Sequence, residues 1–521
     1  MPAETVSSHP DVNPWIVAVA VMCATIMEIL DTTVVNVSLP HIAGSMSATV
    51  DEATWALTSY LVANAIILPI TGWMAGYFGR KRLLMMSVVG FTAASVLCGM
   101  APNLGLLIFF RVLQGASGGC LQPLSQAVML EAFPPHERGK AMAFWGLGVV
   151  VAPMLGPVLG GWLTDNYSWR WVFYINLPVG VASILMTKMF IFDPPYLRRP
   201  RTGIDFWGIG LLTLGIAAAQ IVLDKGQEDD WLASNFILIL TVVCLAALVF
   251  FIIWELLTPD PVVNLRIFKE RSYATGVLLM TIVGFVLYGS MVLLPIFLQS
   301  LLGYPAVRAG IAMFPRGLGS FVMMPITGVL VSRFDARKLL GIGVLGAAFS
   351  MWQLSEINLN AGYWEIFWPQ FLQGVSLSLL FVPLTTVTMG AISRELMGYA
   401  TSMFNLLRNL GGSVGIAFAT TYLARQQQVH QSVLVAHVNS LNPTAQTVIG
   451  AIAGSMQAGG ADATLAMRRA YGAVQGMVMR QAMMLSFLDT FRFMAITFLL
   501  VLPLLLLLRR ARGKKGEVAA H

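Results

Sequence analysis

The sequence predicts an all-α polytopic membrane protein, and three observations carry that reading. Of its 521 residues 57% are apolar and only 11% are charged, against roughly 25% charged in an ordinary soluble domain. So few charges do not cover the surface of a soluble protein of this size. The apolar residues form continuous runs of about 20, the length of a membrane-crossing helix, and not the ten-residue alternation of a β-barrel. The basic residues gather in the short gaps after alternate runs, which is the asymmetry that orients membrane helices. A soluble enzyme, a disordered chain and a disulfide scaffold are thereby excluded. The net charge of +7 belongs to those gaps and does not form a nucleic-acid surface.

Fourteen spans are predicted in order: 15–38, 53–75, 82–101, 104–127, 139–162, 170–190, 204–223, 234–256, 272–298, 308–331, 338–356, 364–391, 399–422 and 489–509. The first is too long for a cleavable leader, and no Lys or Arg precedes it, so it is expected to span. The gaps after the second, fourth and later even spans hold clusters such as Arg80, Lys81 and Arg82, Arg198, Arg199 and Arg201, and Arg333, Arg337 and Lys338. An even number of spans then places both termini in the cytoplasm.

The spans group as six, two and six. Residues 1–14 form a cytoplasmic N-terminus and 15–190 a first six-helix bundle. A Pro-rich basic linker, 191–203, leads to two extra helices within 204–256. A second six-helix bundle follows over 272–509, and 510–521 form a cytoplasmic tail. The second bundle contains a long non-cytoplasmic segment, 423–488, with helix-compatible stretches near 444–457 and 461–488. GWMAGYFGRKR (72–82) is echoed by GVLVSRFDARK (328–338), so the two halves look like a parallel repeat, the pattern of many transporters.

Ionisable residues inside spans are costly in lipid and therefore candidates for function. Glu28 and Asp31 lie three residues apart on one face of the first span. Arg111, in the antiparallel fourth span, sits at a similar depth and is placed to meet Asp31. Desolvation and a guanidinium push a carboxyl in opposite directions, so Asp31, Glu28 and Arg111 are the candidates for proton coupling. The competing reading is a permanent ion pair that pins two helices. Arg111, Gln114, Gly118 and Gln122 fall on one stripe of the fourth span. In the fifth, Pro153, Gly156, Pro157, Gly160 and Gly161 combine bends with close helix approach, either as a conformational seam or as plain packing. Asn64, Gln114, Phe285, Tyr288, Gln299, Asn405 and Arg408 are the candidate substrate contacts, and Arg316 is a further buried cation. No phosphate-binding loop, metal cluster or hydrolase constellation is present in the sequence. No cofactor is expected, and the energy source is expected to be a proton gradient.

Four motifs occur in order. LDTTVVNVSLP (30–40) lies in the first span, FFRVLQGASGG (109–119) in the fourth, GLGVVVAPMLGPVLGG (146–161) in the fifth, and SWRWVFYINLPVG (168–180) at the following turn. On these the chain resembles the major facilitator superfamily, and within it the fourteen-helix drug:proton antiporters of the EmrB type. The resemblance implies a major facilitator fold of two six-helix bundles plus two extra helices. It also implies a multi-pass protein of the bacterial inner membrane that exports amphipathic drug-like molecules in exchange for protons, as one part of a tripartite pump. The partners would be an EmrA-like periplasmic adaptor and a TolC-like outer-membrane channel, with 423–488 as the candidate docking segment; the alternative for that segment is that it merely caps the outer mouth. Gly72, Gly79, Arg80 and Lys81 match the superfamily's loop motif, which implies a gating role for them. Gly76 stands where that motif carries Asp, and Asp335 offers an acid in the second half. Glu28 is an addition to the first-span motif. A nutrient symporter of the same fold and a non-transporting membrane scaffold or sensor are the alternatives.

Overall fold

The computed structural model describes residues 13–193 and 205–508. The N-terminus before them, the basic linker cluster Arg198, Arg199 and Arg201, and the tail lie outside the described residues. Seventeen α-helices occur among the described residues, and no strand.

In the first half these are α1 (Pro14–Ser45), α2 (Val50–Phe78), α3 (Arg80–Met100), α4 (Leu104–Gly118), α5 (Leu121–Ala132), α6 (Arg138–Asn166), α7 (Trp171–Tyr174) and α8 (Asn176–Phe190). Local chemistry sets their ends. Asn13 caps α1 by accepting the Trp15 N–H, with Pro14 at the first helical position. Thr49 and Glu52 form a reciprocal capping box at the start of α2. Gly79, at φ +85°, makes the sharp turn into α3.

Helices α9 (Phe206–Lys225) and α10 (Asn235–Leu257) are the extra pair. α9 packs on α2, and α10 packs on α9 while exposing Leu245, Val249 and Phe250, the outward apolar face that lipid covers. The second half comprises α11 (Arg271–Ile296), α12 (Ala306–Arg333), α13 (Ala336–Leu354), α14 (Tyr363–Gly390), α15 (Met397–Ala436), α16 (Pro443–Ala458) and α17 (Ala463–Val501). The halves meet where α6 packs along α12 and where α2 and α5 pack against α15.

Twelve helical stretches among the described residues are long and apolar enough to cross a membrane. The other two predicted spans, α13 and α15, are helical but more polar. α13 carries Arg337 and Lys338 in its first turn, and α15 carries Asn405, Arg408 and Asn409 within its inner length. One local feature departs from the expected pattern, in the fourth span, and the segment 423–488 shows the helices expected near 444–457 and 461–488 as α16 and the start of α17. The fourth span is divided into α4 and α5 at Gly119–Cys120; at Gly119 a Cβ would stand 2.6 Å from the Asn64 carbonyl, so the backbone of α2 comes too close for a side chain there. The segment 423–488 is mostly helical, since α15 runs on to Ala436 and α17 begins at Ala463. The short α16 seals against α17 through Ile449, Ala453, Ala470 and Val474.

Candidate functional site

Asp31 and Arg111 meet inside the first bundle, as their depths predict. Arg111 Nη1 donates to Asp31 Oδ2 at 2.6 Å, and both side chains are 0% exposed. Around them the acceptors of Asp31 are filled: Gln114 Nε2 donates to Oδ1 at 2.9 Å and Asn176 Nδ2 donates to the same atom at 2.7 Å. Arg111 also donates to Gln114 Oε1 (2.8 Å) and to the Ala56 carbonyl (3.0 Å), and its guanidinium lies 4.1 Å from the Tyr60 ring centroid. Asn176 is anchored in turn by Ser95, which donates to the Phe173 carbonyl. A charge pair in a low-dielectric interior needs its remaining donors and acceptors engaged; here both Asp31 oxygens, Arg111 Nε and Arg111 Nη1 are, Arg111 Nη2 has no hydrogen-bond partner among the described residues, and the pair is held by α1, α2, α3, α4 and α8 together.

Glu28, one turn earlier on α1, sits in a different setting. It is 4% exposed. Oε1 accepts from Asn64 Nδ2 at 2.9 Å, whereas Oε2 finds no hydrogen-bond partner among the described residues. Gln122 and the Arg408 guanidinium of the opposite half are within its electrostatic reach. The two halves are bridged here by Arg408 Nη2 donating to Gln122 Oε1 at 2.7 Å and by Asn405 Nδ2 donating to Gln126 Oε1 at 2.6 Å. Arg408 lies 5.8 Å from the centroid of Trp145, which stacks on Phe381. Glu28 Oε2, Tyr60 Oη, Gln126 Nε2, Trp145 Nε1, Asn405 Oδ1 and Arg408 Nη1 are all buried without a partner among the described residues. Buried polar atoms are normally satisfied. These six lie around the contact between the two halves, and further unsatisfied atoms lie elsewhere, such as Ser183 Oγ and Glu255 Oε1.

The remaining candidates divide. Asn64, Asn405 and Arg408 join Glu28 at that contact, while Gln114 is committed to the Asp31 pair. Phe285 packs on Phe418 with centroids 5.6 Å apart, and the Tyr288 ring covers Gly412, so both aromatics serve the α11–α15 contact. Gln299 is exposed in the turn after α11.

Among the proline and glycine positions of α6, Gly156 faces Thr33, whose Cβ would lie 2.5 Å from an added Cβ, and Gly160 faces the Val34 carbonyl at 2.8 Å. Pro153 lies one turn before these contacts and Pro157 between them, and together they remove two backbone donors. Gly161 has nothing within 4 Å. The seam thus joins α6 to the stretch of α1 immediately after Asp31. In the loop motif, Gly72 packs on the backbone of Tyr399 in the other half. Arg80 pairs with Glu131, the Lys81 N–H donates to Asp193 Oδ1 at 2.8 Å, and Lys81 Nζ donates to the Lys188 carbonyl. Asp193 and Glu131 therefore supply the carboxylates that the Gly76 position lacks, and Asp335 caps α13 through the Arg337 N–H.

Sequence reasoning missed Asn176, Gln126, Tyr60 and Trp145. Asn176 stood in the quoted INLP turn, where no helical period projects a side chain to a partner. Gln126 lies one turn beyond Gln122 and was obscured by the break at Gly119.

Residues 21–416 match the Major Facilitator Superfamily. The chain is 37% identical over 502 residues to the multidrug export protein EmrB of Escherichia coli (strain K12), covering 96% of each. It is 40% identical over 435 residues to the Haemophilus influenzae protein of the same name, covering 83% of this chain and 85% of that one. The crystal structure of the human organic anion transporter MFSD10 superposes with a TM-score of 0.60 at 14% identity, covering 95% of this chain and 100% of that chain, which is a likeness of fold. The chain belongs to the major facilitator superfamily.

Proposed function

We propose that this superfamily member is a proton-coupled exporter of amphipathic small molecules, working by alternating access as the inner-membrane part of a tripartite pump. Its similarity to proteins named for multidrug export supports the direction of transport. The observation that carries the coupling is Glu28, a buried carboxyl with one unpartnered oxygen at the junction of two halves, opposite Arg408. Asp31 is saturated by three donors and acts as the clamp that holds α1 to α4 and α8. Glu28 is free to exchange its proton.

When Glu28 is ionised it attracts Arg408 across the interface. A cationic cargo competes for the carboxylate, and an anionic cargo competes for the guanidinium. Protonation of Glu28 removes one member of the pair, which releases cargo and lets the halves part. The α1–α6 seam at Gly156 and Gly160, with the close contact of Gly72 on α15, transmits that change to the ends of the bundle. Asn64, Gln122, Gln126 and Asn405 supply adaptable amide contacts. Gln114, Phe285, Tyr288 and Gln299 act at one remove, by supporting the ion pair, the α11–α15 packing and the outer turn. The positive-inside pattern of the basic gaps supports cytoplasmic termini; on that reading the α15–α16–α17 hairpin projects into the periplasm and is the proposed docking surface for the adaptor. A one-unit pH gradient supplies about 1.4 kcal/mol per proton, and 100 mV adds about 2.3 kcal/mol per net charge moved. The attainable cargo gradient is then on the order of a few hundred-fold per proton.

The test is transport by proteoliposomes under an imposed pH gradient, with lipophilic cations and weak acids as cargo. Glu28→Gln is expected to keep downhill exchange and to lose uphill accumulation. Uphill pumping by that variant with unchanged pH response would overturn the assignment.

A further inference from the structure

Away from the contact between the halves, one buried carboxyl has no part in the mechanism above. Glu255 lies in the last turn of α10 and is 1% exposed. Its Oε2 accepts the Val263 N–H at 3.3 Å, and its Oε1 has no hydrogen-bond partner among the described residues. That bare oxygen faces a second acid. A Cβ on Gly208, in the first turn of α9, would stand 2.9 Å from Glu255 Oε1 and 2.5 Å from Asp205 Oδ2, so oxygens of both carboxyls converge on one point. Neither acid forms an ion pair among the described residues. The Tyr399 phenol of α15 and Asp260 of the loop after α10 lie on the same side. Arg266, Lys269 and Glu270, further along, are exposed.

Two like charges, one of them buried without a counter-ion, oppose each other, and one proton removes the conflict. Asp205 is the acid that keeps its charge. It accepts the Gly208 N–H at 2.9 Å and the Trp254 Nε1–H at 3.0 Å, and it caps the start of α9, where the helix dipole favours an anion. Glu255 therefore takes the proton, on the oxygen that has no donor. The same carboxyl holds the chain that follows α10. Val262 and Val263, 0% and 1% exposed, pack with Trp73 of α2 and with Met403 and Leu406 of α15, beside the contact of Gly72 on Tyr399. A charged acceptor holds an N–H more strongly than a neutral one, so a proton on Glu255 loosens this tether.

We propose that Glu255, opposite Asp205, is a second proton-binding site, and that its occupancy sets how firmly residues 258–265 hold the contact between α2 and α15. It stands whether or not Glu28 couples protons.

The experiment uses the purified full-length protein in detergent. Infrared spectra titrated from about pH 5 to 9 read protonated carboxyls directly. The difference between wild type and Glu255→Gln is expected to contain one protonated carboxyl at neutral pH, lost as the pH rises. Asp205→Asn is expected to move the midpoint of that loss to lower pH, because the opposing charge is gone. Should Glu255→Gln fail to fold, the band and its shift are read in the difference between wild type and Asp205→Asn. The tether is read at a single pH, in protein whose four native cysteines are replaced. There Val262→Cys is expected to react about five-fold faster with a thiol reagent when Glu255→Gln is added. Absence of the band at neutral pH, or a midpoint that Asp205→Asn leaves unmoved, overturns the proton site. Unchanged reactivity of Val262→Cys overturns the tether.

Discussion

Replacing Asp31 with asparagine tests the clamp. Asparagine keeps one acceptor and turns the other position into an N–H₂ donor. In wild type, Oδ2 faces the Arg111 guanidinium and Oδ1 faces the amides of Gln114 and Asn176, so either orientation sets donor against donor. Gln114 cannot turn to help without giving up the bond from Arg111 to its Oε1. The larger loss is charge, because Arg111 would be left buried without a counter-ion, and removing one partner of a buried pair costs about 3–5 kcal/mol. Glu28→Gln provides the contrast: its bond from Asn64 survives, and Arg408 loses an opposite charge across the interface but keeps its bond to Gln122, so its stability should fall by less than that of Asp31→Asn. Denaturant unfolding of both variants in detergent measures the difference. The double variant Asp31→Asn with Arg111→Gln removes the orphaned charge, and a double-mutant cycle should return a coupling of about 3 kcal/mol. If Asp31→Asn unfolds within about 1 kcal/mol of wild type, or if the two changes simply add, Asp31 and Arg111 are not the clamp described above.

Further outcomes follow from the close helix contacts. Gly156→Ala drives a methyl group into Thr33 and should cost about 1–3 kcal/mol, with slowed transport in proteoliposomes. Gly161→Ala, with open space around it, should leave transport intact and gain about 0.5–1 kcal/mol of helix stability in an unfolding titration. Gly72→Ala would place a Cβ 2.6 Å from the Tyr399 nitrogen, forcing α2 away from α15, so cysteines introduced near that end should become more reactive to a membrane-impermeant thiol reagent. Replacing residues 437–462 with a short Gly/Ser linker removes α16, and proteoliposome transport should persist while resistance of whole cells is lost.

The spans were legible because a bilayer demands long apolar runs, and that demand is written directly in composition. The Asp31–Arg111 meeting was legible for a similar reason: counting residues from the ends of two antiparallel spans fixes relative depth. Rotation about the helix axis is what counting does not fix. The stripe from Arg111 through Gln122 assumed one continuous helix, yet the span is divided at Gly119–Cys120; Arg111 and Gln114 turn into the first bundle while Gln122 and Gln126 reach α15. Asn176 reaches Asp31 from the start of α8, after the one-turn α7, a tertiary placement that no local pattern encodes. The helical character of 423–488 was partly visible in its composition, but the extension of α15 to Ala436 depends on its packing against α17.

In the mechanism proposed above, Glu28 and Asp31, one helical turn apart, take opposite tasks because of what surrounds them. Asp31 has as many donors as a carboxylate needs, drawn from elements of a single bundle, so a change in its protonation would disturb the bundle's own packing. Glu28 shares its surroundings with α15 of the other half, so under the proposed alternating access the unsatisfied atoms near it would change their surroundings as the halves move. A switch operated by proton binding requires an equilibrium that the proton biases, and only a group at the boundary between two moving bodies has contacts that differ between their states. A group wholly inside one rigid body has the same contacts in both and exerts no such bias. On that argument the clamp and the switch are kept three residues apart on one helix so that the same rigid segment of α1 carries the displacement from Glu28 past Asp31 to Thr33 and Val34, where Gly156 and Gly160 of α6 rest directly against it.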